Sequence, residues 1–168
     1  SNLIENNTID QNGFTTSGGA IETMGLRIYG TGSVIRQNVL RQNSGAGVTV
    51  SSGSTGNLIS RNSISANGTT TGQIGIDLNS PSDDPNRGTA PYVTINDSGD
   101  ADTGGNGLLN FAVFTSATIS GGQLTLKGFA RPGSAIEIFS VAADPSGFGE
   151  GQTYLTTFTE GSAQDLDT

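Results

Sequence analysis

The feature that most constrains this chain is an internal repeat. Asn2-Leu3-Ile4-Glu5-Asn6-Asn7-Thr8-Ile9-Asp10-Gln11-Asn12 recurs over residues 33–43 as Ser-Val-Ile-Arg-Gln-Asn-Val-Leu-Arg-Gln-Asn. It recurs again over residues 57–67 as Asn-Leu-Ile-Ser-Arg-Asn-Ser-Ile-Ser-Ala-Asn. Leu3 and Val34 are 31 residues apart, and Val34 and Leu58 are 24 apart. Each copy is followed by a Gly-rich link and a further alternation: Gly25-Leu26-Arg27-Ile28-Tyr29, Gly47-Val48-Thr49-Val50 and Gly75-Ile76-Asp77-Leu78. A repeat of this length is read before any local propensity, because it implies stacked copies of one unit. Each unit predicts three very short strands divided by Asn or Gly corners. Such strands do not persist as isolated hairpins. Stacked in parallel, coil on coil, they pair above and below, and apolar residues at period two share one interior.

The expectation is therefore an all-β chain opening with a parallel β-helix of about three coils over residues 1–80. Asn suits the corners because it tolerates a left-handed backbone, and Gly because it has no Cβ. Asn6, Asn38 and Asn62, or their neighbours Asn12, Asn43 and Asn67, are expected to stack as hydrogen-bonded ladders. Gly19-Ala20-Ile21-Glu22-Thr23 competes with residues 25–29 for the third strand of the first coil. The 31-residue spacing predicts an insertion there, forming a small protruding loop.

Composition agrees and excludes several classes. The 26 glycines, 13% charged and 32% hydrophobic residues do not describe an ordinary helical or α/β domain. The absence of Cys, His and Trp removes disulfides, Cys/His zinc sites and a Ser-His-Asp triad. A net charge of −8 opposes nucleic-acid binding, and no apolar run reaches the roughly 18 residues of a membrane span. The chain starts at Ser1 inside a repeat, without a signal peptide. The expectation is a mature or trimmed form, or a segment of something larger.

Beyond Leu78 the pattern changes. Residues 79–86 are a turn-rich exit, and residues 81–110 form an acidic Gly/Asp-rich junction. Residues 111–119, 123–130, 134–141 and 153–159 read as strands bounded by Gly-Gly and Pro-Gly turns. They predict a small antiparallel, immunoglobulin-like β-module over 111–168, with fewer strands than a complete sandwich.

The repeat resembles the right-handed parallel β-helix found in many bacterial surface and secreted proteins and in pectin-degrading enzymes. Gly128-Phe129-Ala130-Arg131-Pro132-Gly133-Ser134-Ala135-Ile136-Glu137-Ile138-Phe139 looks like a strand, tight turn and strand of an immunoglobulin-like bacterial module. Three further motifs follow in order: Gly75-Ile76-Asp77-Leu78, the acidic loop from Asn96 to Asn106, and Leu109-Asn110-Phe111. With Asp144-Pro145-Ser146-Gly147-Phe148-Gly149-Glu150-Gly151-Gln152-Thr153-Tyr154-Leu155 they resemble the tail of large bacterial β-helix surface proteins. The resemblance implies an extracellular or cell-surface location and says little about mechanism.

Candidate sites are few. Asp97, Asp100, Asp102 and Asn106 offer alternating oxygens in a Gly-rich loop, a candidate calcium site without the terminal Glu of an EF-hand. The competing reading is a solvated acidic linker. Asn6, Asn67 and Asn96 begin N-glycosylation sequons. On the outward side of the third strand column stand Arg27, Thr49 and Asp77, with Glu22 nearby. Arg27 and Asp77 lie two coils, or about 10 Å, apart. That column lacks the carboxylate pair of a glycosidase, so no catalytic residue is assigned and no enzyme is expected. Phe14, Tyr29 and Tyr92 are dispersed and read as packing residues. Lys127 is the one lysine, in a strand-like run. The first coil shows no polar cap, which invites stacking by another chain, and an incomplete β-module invites strand exchange. These features favour a self-associating structural or adhesive protein, a filament or stalk subunit. The alternatives are a glycan-binding module and, behind it, a polysaccharide lyase or hydrolase.

Overall fold

The computed structural model describes residues 1–14 and 22–162. Nine three-residue strands build three coils: β1 (Leu3–Glu5), β2 (Thr8–Asp10) and β3 (Leu26–Ile28), then β4 (Val34–Arg36), β5 (Val39–Arg41) and β6 (Val48–Val50), then β7 (Leu58–Ser60), β8 (Ser63–Ser65) and β9 (Ile76–Leu78). They form three parallel sheets, β1-β4-β7, β2-β5-β8 and β3-β6-β9. Leu3 pairs with Val34 and Val34 with Leu58, as the repeat offsets require. The register of the third sheet is Leu26, Val48, Ile76, which settles the first coil on residues 26–28. The predicted protruding loop falls largely on residues 15–21, outside the described residues.

The core is one stack of branched side chains. Ile28, Ile35, Leu40, Val48, Val50 and Ile64 are buried, with Ile4, Ile9, Leu26, Ile59 and Leu78 packed against them. The middle coil is sealed on both sides, so Ile35, Leu40, Val48 and Val50 have no exposure. Outside the coils, Glu5 meets Arg36 and Asp10 meets Arg41 at the same register positions that pair their strands.

The corners correct one detail of the sequence reading. The ladder is Asn7–Asn38–Asn62, not Asn6–Asn38–Asn62. In each case Oδ1 of the later coil's Asn accepts the backbone N–H of the earlier one, at 2.9 Å in both steps. The left-handed residues are those immediately before the ladder: Asn6, Gln37 and Arg61, and Gln11, Gln42 and Ala66 at the next corner. So five of these six strained positions carry no asparagine. The asparagines are fixed by what their amides bond, not by backbone tolerance. Asn12, Asn43 and Asn67 form the second ladder as expected. A third runs Ser33, Asn57, Asn106, with left-handed Gly32 and Gly56 ahead of its first two members.

After β9, residues 80–92 fold over the outer face of the third sheet, and a one-turn 3-10 segment, Gly105–Leu108, returns to the end of the solenoid. There Gly105 donates to Asn79 O and Asn106 to Ser54 O. Two antiparallel hairpins follow: β10 (Val113–Ser120) with β11 (Gln123–Phe129), and β12 (Ala135–Ala142) with β13 (Glu150–Thr159). These match the four predicted strands, as two separate two-stranded sheets. β13 lies against β8.

Removing a central rung should be far more costly than removing an end one. Asn38 Nδ2 reaches Ile4 O, Arg36 O and Asn62 Oδ1, and its Oδ1 receives Asn7. Asn38→Ala is expected to cost roughly 2–4 kcal/mol by leaving several buried groups unpaired. Asn7→Ala, on the exposed first coil, should cost about 1 kcal/mol. Denaturant midpoints of the two variants provide the comparison.

Candidate functional site

Two places concentrate polar chemistry: the roofed outer face of the third sheet and the closed end of the solenoid.

On the outer face, Arg27, Thr49 and Asp77 align across β3, β6 and β9. Alternation turns them away from the core, which would normally leave them in water. Instead Thr49 is 0% and Asp77 2% exposed, because the 80–92 loop lies over them. Short-range contacts hold the loop down. Asp83 accepts from Ser80 N, Asn79 Nδ2 donates to Asp84 O, and Asp84 N donates to Thr89 Oγ1. Gly88 has φ +69 and lies so close to the Asp77 carboxylate that a Cβ there would collide with it. Arg27 is bound by Glu22, Ser51 and Asn86, and its guanidinium sits 4.3 Å from the Tyr29 ring centre. It therefore does not neutralise Asp77. Burial, and then the nearby charge of Asp83, push the Asp77 carboxyl up to about 7. Thr49 Oγ1, Asp77 Oδ2 and Asn79 Oδ1 are buried without a hydrogen-bond partner.

The end of the solenoid is closed by acceptors. Asn67, last rung of its ladder, donates its backbone N–H to Glu150 Oε2 and its Nδ2 to Glu150 Oε1, both at 3.0 Å. Asn57 N donates to Asn106 Oδ1 at 3.0 Å, and Asn106 Nδ2 returns to Asn57 O. At the remaining corner Glu137 accepts from Ser60 Oγ and Arg61 N. Beside it the Arg61 guanidinium lies 5.0 Å from the Tyr154 ring centre. Burial raises the Glu150 carboxyl above its usual range, opposed by the two bonds from Asn67. Neither Glu137 nor Glu150 stood out in the sequence. Glu137 left one signal, a lone acid inside the apolar run Ala135-Ile136-Glu137-Ile138-Phe139.

The residues proposed for calcium are dispersed among separate tasks. Asn106 is a ladder terminus. Asp100 accepts from Asn110 N and pairs with Arg131 at 2.7 Å. Asp97 exchanges backbone bonds with the Asn110 side chain. Asp102 lines a cleft of about 270 Å³ together with Asp83, Leu78 and Tyr92. Among the described residues, no group of three or more His, Cys, Asp or Glu side chains is placed to hold a metal ion. The three sequons also part company. Asn67 is 1% exposed with its amide consumed by the ladder, so its sequon is structural in the folded chain. Asn96 Nδ2 is bonded to Phe111 O, and Asn6 stands exposed at a left-handed corner.

Two outcomes follow. In buffer free of divalent cations, stability should fall as pH rises from about 4 to about 7. The unfolded chain releases the Asp77 proton near 4, whereas the folded chain keeps it until about 7. The loss should be roughly 2–4 kcal/mol, and Asp77→Asn should flatten it in pH-dependent denaturant titrations. At the closed end, Glu150→Gln retains one acceptor, as an Asn rung does, and should stay within about 1 kcal/mol of the parent. Glu150→Ala strands two buried donors and should cost about 1–3 kcal/mol by the same assay.

Compared with known proteins, the chain matches no family model, no curated protein and no solved structure.

Proposed function

We propose that this chain is a structural or adhesive element of an extracellular or cell-surface protein, a short solenoid stalk that joins its neighbours by strand addition. The observation that carries this reading is the β10–β11 ribbon. It is a two-stranded sheet exposed along almost its whole length. Cross-strand pairing places Phe114, Ala117 and Ile119 on one face with Leu124 and Leu126, and Ile119 is 79% exposed. A ribbon of this kind is marginal alone in water and gains from a third strand or an apolar cover. Its outer edges carry unpaired backbone groups of the sort that recruit another chain.

Growth by stacking coils end to end is disfavoured at the β7–β9 side, where Asn106 and Glu150 receive the last rungs of two ladders and Glu137 takes the Arg61 N–H beside the third. The ribbon is the better junction. A flat outer sheet for binding glycans is not offered by β3-β6-β9 either, since the 80–92 loop roofs it and buries Asp77. The extracellular assignment rests on the resemblance of the repeat and the following acidic tail to bacterial surface proteins.

Light scattering across a concentration series, with electron microscopy of the same samples, tests the reading. The parent chain should form concentration-dependent oligomers, and the pair Ile119→Lys with Leu124→Lys should remain monomeric while keeping the β-sheet circular dichroism. A parent that stays monodisperse and monomeric at every concentration would sink the proposal.

A further inference from the structure

The roofed face of the third sheet holds an imbalance that the fold alone does not resolve. Asp77 is a buried carboxylate, and it takes part in none of the ion pairs among the described residues. A buried charge is normally paired, hydrogen-bonded or bound to a metal. Its Oδ2 has no donor, and beside it two further buried oxygens, Thr49 Oγ1 and Asn79 Oδ1, lack partners as well. Thr49, Asp77 and Asn79 are 0%, 2% and 2% exposed.

Register brings the three together. Thr49 and Asp77 are direct partners on adjacent strands, and Asn79 stands two residues beyond Asp77. Rows about 4.8 Å apart and steps of about 6.7 Å are spans that side chains of this length close to the roughly 5 Å across a calcium coordination sphere. We propose that Thr49, Asp77 and Asn79 form the floor of a binding site for one hard divalent cation of the calcium class, roofed by the 80–92 loop.

The chemistry of the donors fits. All three orphaned atoms are oxygens: a hydroxyl, a carboxylate and an amide carbonyl, the set that calcium accepts. Asp83, the loop residue whose charge acts on Asp77, brings a second carboxylate and matches the charge of a divalent ion. The nearest cation of the column, Arg27, is committed to Glu22, Ser51 and Asn86. Gly88 leaves the loop backbone close against the Asp77 carboxylate, so an ion here would tie the loop to the solenoid. The site is separate from Asp97 and Asp100 of the acidic loop, whose contacts are to Asn110 and Arg131.

The test uses the full chain, treated with chelator and dialysed, then titrated with calcium chloride by calorimetry and by thermal melting. One ion per chain and a rise in melting temperature of several degrees are expected. Thr49→Val and Asp77→Asn, both close to the parent in shape, should each weaken calcium binding at least tenfold. Asp97→Asn should bind as the parent does. The absence of any calcium heat or melting shift in the parent overturns the proposal, as does a response that persists in both floor variants. A response abolished by Asp97→Asn also overturns it, because the ion would then lie in the acidic loop.

Discussion

The structure depends on a directional relay of side-chain amides. At two corners of each later coil an asparagine oxygen receives the backbone N–H of the coil before it, and often that coil's side-chain amide too. At the third, Ser33 Oγ takes the first such place. The asparagine's own Nδ2 reaches back to a carbonyl of the previous coil, as Asn62 does to Ile35 O and Asn67 to Leu40 O. Corners are where sheet pairing stops, so their polar groups would otherwise be buried without partners. The relay satisfies them and also sets the coil spacing. The branched residues inside then stack directly, Ile35 and Leu40 on their neighbours above and below.

Charge follows from the same device. The chain has 15 acidic and 7 basic side chains, and an excess of acid is usually read as a matter of solubility. Here part of the excess has a defined place. A ladder that passes hydrogens in one direction must end on groups that only accept, and an ionised carboxylate is such a group. Glu150 receives Asn67 and the Asn106 carbonyl receives Asn57 at two ladder ends, while Glu137 takes the Arg61 N–H next to the Asn62 rung. The second half of the chain is thus joined to the first through the unfinished valence of the repeat. Among the described residues, the β10–β11 ribbon, largely exposed, has no comparable anchor.

Much of this was legible in the sequence. Spacings of 31 and 24 residues set the coil register, and the expected shared apolar interior is filled in the first sheet by Ile4, Ile35 and Ile59, which stack in register. The four later strands were bounded by their Gly and Pro turns. The rest depends on contacts that cross long stretches of chain. Nothing local distinguishes Asn7 from Asn6 as the ladder member, because the choice is made by Asn38 on the next coil. Asp77 sat on a face that alternation marks as exposed, and only the fold-back of residues 80–92 buries it. Asn106 looked like a loop ligand because its partner, Asn57, lies 49 residues away.

The polarity of the ladders gives the solenoid a head and a tail in the sense of a one-way connector. On the first coil the backbone and side-chain donors of Asn7 and Asn12 are spent on Asn38 and Asn43, so each ladder has an amide oxygen, an acceptor, left to offer at that end. Two such faces meeting by a two-fold axis would set oxygen against oxygen at those corners. Anything that extends this face along the ladders must arrive donor-first. The solenoid therefore carries a built-in sense of direction, written in amide groups.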